Sequence, residues 1–194
     1  MNVRQHMQTR AVTVTPDAPI SQARDLMEAH GFGLLLVVSE EGRLEGFVTR
    51  AGLKEISDWE MPVRRFSHPV KLTVSPDDTL EKAALILLSN RLVVLPVVWE
   101  EKLVGVISQG EILRGLTHGL GIGLEATRLS VKIRDDSEDL YDVLAILRSH
   151  GARVISIAQT GEDDGTHEAV LRVQGVDEKE RLRSELETAL KRGQ

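Results

Sequence analysis

One pattern occurs twice in this chain, and that duplication restricts the fold more than any single motif. The stretch "TVTPDAPISQARDLMEAHGFGLLLVVSEEGRLEGFVTRAGL", beginning at Thr13, lies over "TVSPDDTLEKAALILLSNRLVVLPVVWEEKLVGVISQGEIL", beginning at Thr73. The two slip by one residue at the Glu-Glu turn. Val14/Val74, Pro16/Pro76, Asp17/Asp77, Ala23/Ala83, Val37/Val97, Val38/Val98, Leu44/Leu103 and Gly46/Gly105 coincide, so turn residues and apolar positions recur together. Whatever one copy folds into, the other folds into as well.

Each copy reads as strand, helix, strand, strand, short helix. Pro-Asp closes the Thr-Val strand and supplies a capping carboxylate for a helix with apolar positions at Ile20, Ala23, Leu26 and Met27, matched by Leu80, Ala83, Ala84 and Leu87. The runs "LLLVV" and "VVLPVV" suit strands buried on both faces, and acidic turns return each into "LEGFV" or "LVGVI". A βαββα unit leaves one face of its small sheet uncovered. Two copies are therefore expected to pack on each other, with ligand clefts between them.

The repeats occupy residues 1–60 and 61–117. Residues 118–127, with Gly119, Gly121 and Gly123 alternating with apolar residues, read as a flexible linker; no strand feeds them and no Lys-Ser/Thr follows, as a phosphate loop would require. Residues 128–194 read as a second kind of βαββα unit. "TRLSVKIR" is a strand, and Leu140, Val143, Leu144 and Leu147 stripe a helix that Gly151 stops. "RVISIAQT" and "HEAVLRVQG" form a hairpin, and Val176, Leu182, Leu186 and Leu190 stripe a last helix. The fold class is α+β, with a ferredoxin-like third unit.

Composition narrows the function. A net charge of −6, with acidic and basic residues dispersed, offers no cationic face for nucleic acid. There is no cysteine, which removes thiolate metal sites and cysteine nucleophiles. His6, His30, His68, His118, His150 and His167 lie in separate segments without metal-ligand spacing, and no Gly-x-Ser-x-Gly elbow or dinucleotide fingerprint occurs. The reading is a non-enzyme that needs no cofactor. The absence of an apolar stretch long enough to span a bilayer makes a cytoplasmic location, with no membrane partner, the expectation.

The duplicated pattern, most specifically Leu95-Pro96-Val97-Val98 and Gly105-Val106-Ile107-Ser108, resembles a tandem pair of CBS domains, a Bateman module. Val131-Lys132-Ile133, the Leu140 helix and Gly151-Ala152-Arg153-Val154-Ile155 resemble an ACT-type regulatory domain. The whole arrangement is similar to the acetoin-utilisation protein AcuB family. The resemblance implies an adenosine-containing regulatory ligand, AMP, ATP or S-adenosylmethionine, in the clefts between repeats. It also implies a hydroxyl near phosphate and an aspartate on the ribose, in a Gly-h-h-Ser/Thr-x-x-Asp turn where h is hydrophobic. Carried onto this chain, the hydroxyls are Thr49 and Ser108, followed in the second copy by Gln109, and the ribose positions are Gly52 and Glu111. The base-contacting stretches are Thr13-Val14, Thr73-Val74, Leu35-Leu36 and Leu95-Pro96-Val97.

Two departures shape the expectation. Gly52 has no carboxylate, and Glu111 is one methylene longer than aspartate. Ser108-x-x-Glu111 also reads as a helix cap with a first-turn acid, and that reading stands beside the ligand reading. The expectation is one functional cleft, at Ser108 and Glu111, in a regulatory sensor. In the C-terminal unit Glu138 stands where the ACT pattern has glycine, and Ser137 followed by acids reads as a helix cap. Homodimerisation through the sheet is therefore expected there in preference to amino-acid binding. Arg64 and Arg65 read either as phosphate contacts or as a solvated connector. The alternatives are a scaffold with vestigial clefts and an acetoin-pathway enzyme.

Overall fold

The computed structural model describes the whole chain except residues 55, 135–136, 162–164, 177–178 and 192–194. It divides into two compact units, Met1–Gly115 and Leu116–Gln194.

In the first unit both copies form βαββα. The first comprises β1 (Thr13–Val14), α1 (Ile20–His30), β2 (Leu34–Val38), β3 (Leu44–Thr49) and α2 (Arg50–Leu53), with β1 parallel to β2 and β2 antiparallel to β3. The second comprises α3 (Leu80–Ser89), β4 (Val94–Trp99), β5 (Lys102–Ser108) and α4 (Gln109–Gly119); its first strand is reduced to one parallel bridge, Val74 to Val97. The register shifts at the same place in both hairpins, between Val37 and Val38 and between Val97 and Val98. Helix positions at i, i+3 and i+7 fill the two cores: Ile20, Ala23 and Met27 in one, Leu80, Ala83 and Leu87 in the other, all buried.

The repeats are longer than the aligned stretch and they interlock. Residues 1–8 dock on the second copy, and residues 61–68 dock on the first. Val3 and Arg4 donate their N–H groups to the carbonyls of Asp78 and Pro76; Val63 and Arg64 donate to those of Ala18 and Pro16. The four bonds are each 2.9 Å, and both valines are fully buried. Arg4 pairs with Asp77 at 2.8 Å and Arg64 with Asp17 at 2.7 Å, so Arg64 belongs to the interlock, and its counterpart is Arg4. Gln8 forms a two-way bridge with Val106, and His68 forms one with Phe47. These straps explain the recurrent glycines: a Cβ on Gly105 would lie 2.6 Å from the Gln8 carbonyl oxygen, and one on Gly46 2.7 Å from that of His68.

The second unit contains β6 (Thr127–Arg134), α5 (Asp139–Ser149), β7 (Arg153–Gly161), β8 (Thr166–Gln174) and α6 (Lys179–Lys191). The antiparallel sheet runs β6-β8-β7, a split arrangement in which β6 has a neighbour on one side only. Val143, Leu147, Leu182 and Leu186 from the helices and Ile133, Ala169, Leu171 and Val173 from the sheet share one core.

The glycine run reads differently in three dimensions than as a loose linker. Ile122 donates to Thr117 and Gly121 to His118, closing α4 with a Schellman motif in which Gly121 is left-handed at φ 64°. A Cβ on Gly121 would sit 2.7 Å from Ile155 of β7, so Gly121 itself is packed, while residues 122–125 are exposed. The acidic turn expected between β7 and β8 falls largely outside the described residues, as do Asp135 and Asp136 of the loop before α5.

Candidate functional site

The second copy's turn is a capping box with an added lock. Ser108 precedes α4, its N–H donates to Glu111 Oε2 at 3.0 Å, and Gly110 N–H donates to Ser108 Oγ at 3.2 Å. The Ser108 hydroxyl also donates to Glu111 Oε2. From the N-terminal strap, Gln8 Nε2 reaches Glu111 Oε1 at 2.8 Å, and Arg114 Nη2 lies 2.7 Å from the same oxygen. Glu111 is only 6% exposed. Burial by itself pushes its carboxyl up, but the bonds from Ser108, Gln8 and Arg114 outweigh that and hold it below the ordinary glutamate range. Its lone pairs are taken up by protein donors, so a ribose diol at this turn has to displace Gln8 or Arg114.

The first copy's turn is simpler. Thr49 Oγ1 accepts from Gly52 N–H at 3.1 Å and caps α2, and Gly52 has no side chain to lock. Phe47 and His68 take the places that Val106 and Gln8 hold in the other copy, with ring centroids 5.7 Å apart.

An apolar cleft of about 620 Å³ opens between the repeats on this first-copy side. β2 contributes Leu34 and Leu36, and β4 contributes Val94 and Pro96. Phe47, cross-strand from Leu36 on the same sheet face, extends the β2 wall, and residues 68–72, Asn90 and Leu92 complete the lining. Lys71 supplies a cation there, and the backbone N–H groups of residues 70–73 make no backbone hydrogen bond among the described residues. The volume suits a small molecule. Thr49, paired with Leu34, continues the cleft-facing side of β3, as Ser108, paired with Val94, does on β5.

Strand alternation sorts the expected base-contacting residues. Leu36 and Pro96 line the cleft, and Thr73 lines an adjoining groove of about 550 Å³. Val14, Leu35, Val74, Leu95 and Val97 are at most 3% exposed and sit in the cores. Neighbours in a strand face opposite sides, so within the expected base-contacting stretches these five positions offer a ligand their backbone groups. Thr13 pairs with Leu36 in the sheet, and Gln109 is spent on the Leu92 carbonyl at 2.9 Å. Leu34, Val94, Phe47 and His68, which sequence reasoning passed over, line the cleft. The signal for the first two was the period-2 pattern itself.

In the second unit Ser137 Oγ accepts from Asp139 N–H at 3.2 Å, and Asp139 is locked by Arg134, with Nη2 to Oδ1 at 2.6 Å. The Arg134 guanidinium, aided by hydrogen bonds from the Arg134 N–H and Ser137, holds the Asp139 carboxyl well below the usual range against the opposing effect of burial. Among the described residues no group of three or more His, Cys, Asp or Glu could hold a metal ion. No described helix is long and apolar enough to cross a membrane.

Two interlocked βαββα copies with a cleft between them define a pseudo-symmetric repeat pair. The CBS domain model matches residues 3–57 and 63–118, and the chain belongs to the CBS domain family as a tandem pair. It is 27% identical over 134 residues to the CBS domain-containing protein YhcV of Bacillus subtilis, covering 66% of this chain and 95% of that protein. It is 30% identical over 151 residues to inosine-5'-monophosphate dehydrogenase of Aquifex aeolicus, covering 75% of this chain but only 31% of the enzyme, in its CBS region. Among solved structures, CBSX2 in complex with AMP is 25% identical with a TM-score of 0.54, over 60% of this chain and 96% of that one. A CBS domain pair/ACT domain protein of Thermotoga maritima (24% identical, TM-score 0.57, 62% and 99% covered) and an acetoin utilization protein, AcuB, of Vibrio cholerae (23%, 0.57, 66% and 98%) share the fold.

Proposed function

We propose that this chain is a non-catalytic sensor that binds an adenine nucleotide or related adenosine compound between its CBS repeats. The observation that carries the reading is the apolar cleft between β2 and β4. Its apolar walls suit a planar base, with Leu36 and Phe47 side by side on one sheet and Pro96 on the other, and the amides of residues 70–73, which make no backbone hydrogen bond among the described residues, are partners for the base edge. Lys71 is the cation for phosphate, and Thr49, cross-strand from Leu34, offers a hydroxyl. The ligand class is supported by the AMP held by CBSX2. The Ser108–Glu111 turn, expected from sequence to be the functional cleft, becomes the second subsite, opened when Gln8 leaves Glu111.

Ligand would favour one packing of the repeats, and α4, which runs from the Ser108 turn into the second unit, would carry the change to an ACT-like homodimerising unit. A link to acetoin utilisation rests on the AcuB resemblance. One observation favours a scaffold with vestigial clefts instead: Glu111 is already satisfied by protein donors and Gly52 has nothing to offer a ribose.

Calorimetric titration with AMP, ATP and S-adenosylmethionine tests the proposal. Binding by at least one compound should be lost in Lys71→Glu and kept within about threefold in Glu111→Gln. No binding by the unsubstituted chain overturns the sensor reading in favour of the scaffold; loss in Glu111→Gln alone moves the site to the other turn.

A further inference from the structure

The second unit holds a groove that the nucleotide reading does not use. About 580 Å³ in volume, it runs between the β6 edge of the sheet and α6. Leu129, Val131 and Leu190, each only partly buried, line its apolar side. Among the described strands β6 pairs with β8 alone. Arg134 N–H donates to Asp139 Oδ2 at 3.0 Å, so its backbone groups turn away from β8. Every second residue of an antiparallel strand points its N–H and C=O the same way, so those of Arg128, Ser130 and Lys132 also face the groove. Edge groups in this register are a template for another strand.

Charge selects the kind of strand. Leu129, Val131 and Ile133 turn to the core, which sets Arg128, Ser130, Lys132 and Arg134 together on the opposite face. Arg128 lies directly across from Arg172 of β8, a like-charge pair that costs stability, and neither forms an ion pair among the described residues. Glu168, across from Lys132, is the single acid among the described residues of β6 and β8 on this face. On α6, Arg183 and Glu187 pair with each other at 3.4 Å and add no net charge to the groove. A second β6 is a poor occupant. The two most nearly centred antiparallel registers of β6 on its own copy set Arg128 across from Lys132 or from Arg134.

We infer that the β6 edge receives an extended segment of a different protein, antiparallel to β6, with acidic residues across from Arg128 and Lys132 and large apolar residues across from Leu129 and Val131. The pattern recognised is acid, apolar, any residue, apolar, acid. The acids give Arg128 and Arg172 the counter-charge that the sheet lacks, and the apolar pair fills the groove against Leu190. No five-residue segment of the 194 has this pattern, which points to another chain as its source. The surface lies wholly in the second unit and leaves β7, the other edge of the sheet, for any pairing of like units. It stands whether or not the first unit's cleft takes a nucleotide, so a failed AMP titration leaves it untouched.

The probe is a fluorescein-labelled peptide, Ser-Glu-Val-Thr-Val-Glu-Ser with blocked ends, titrated with the full chain and read by fluorescence anisotropy. Binding with a Kd of about 100 μM or tighter is expected. Methylating the amide nitrogen of the central Thr, which faces β6 across from Ser130, should abolish it. Replacing both Glu of the peptide by Lys should do the same. Arg128→Glu should weaken binding of the Glu peptide about tenfold and bring in binding of the Lys peptide, a reversal that loss of folding cannot produce. No binding of the Glu peptide at about 1 mM, equal binding of the Lys peptide, or no loss on methylation overturns the inference. So does binding that proceeds only by splitting a dimer of the chain, seen in sedimentation velocity, which would assign the edge to a second copy.

Discussion

Replacing Glu111 by alanine removes an acceptor that ties the N-terminal strap to the second copy. Three losses follow. The Glu111 half of the α4 capping box disappears, leaving the Ser108 N–H without its acceptor while the Ser108 cap on Gly110 remains, at about 1 kcal/mol. The Gln8 amide loses its acceptor in a part-buried site, at about 1 kcal/mol where water does not replace it. Arg114 is 75% exposed at its side chain and contributes close to nothing. The expected destabilisation is about 2 kcal/mol. Both tryptophans, Trp59 and Trp99, lie in the first unit, so fluorescence during urea unfolding reports on that unit alone. Because the folded pKa of Glu111 is depressed, its contribution is present above the unfolded value, about 4.3, and fades as pH falls through the folded value. The gap between wild type and Glu111→Ala should therefore close on acidification. Gly52→Glu, which builds the missing capping box in the first copy, should stabilise by about 1 kcal/mol. A Glu111→Ala loss below about 0.5 kcal/mol, or one that persists unchanged at acid pH, would refute the lock.

Gly105→Ala should destabilise the first unit by about 1–3 kcal/mol, because its Cβ meets the Gln8 carbonyl and the strap cannot seat; urea unfolding followed by tryptophan fluorescence measures it. Asp139→Asn should destabilise the second unit by about 1–2 kcal/mol at neutral pH, since Asn keeps the shape but loses the charged pairing with Arg134. Asp139 has a depressed folded pKa, so its stabilisation is present above about pH 4 and lost as pH falls toward the folded value; far-ultraviolet circular dichroism should show the difference shrinking in acid.

The duplication made most of the first unit legible, because turns and apolar periods had to agree between copies, as Pro16 with Pro76 and Met27 with Leu87 do. The interlock was signalled only by Met1-x-Val3-Arg4 recurring at Met61-x-Val63-Arg64, outside the compared stretch. Which cleft stands open depends on contacts remote in sequence: Gln8 reaches Glu111 across more than half the chain, and local spacing carries no trace of it. The runs at residues 34–38 and 93–98 are buried through their centres, as read, and their alternation turns Leu36 and Pro96 to the cleft and Leu35 and Leu95 to the cores. Alternating glycines looked like a hinge, yet the placement of Gly121 two residues past the end of α4 also fits a helix stop.

A crystal structure of the chain grown with AMP tests the central claim most directly. The account predicts the adenine in the cleft against Leu36 and Pro96, within reach of the amides of residues 70–73, with the phosphate toward Lys71 and the Gln8–Glu111 contact intact. AMP seated at Ser108 with Gln8 displaced while that cleft stays empty, or no bound AMP at saturating concentration, would contradict it.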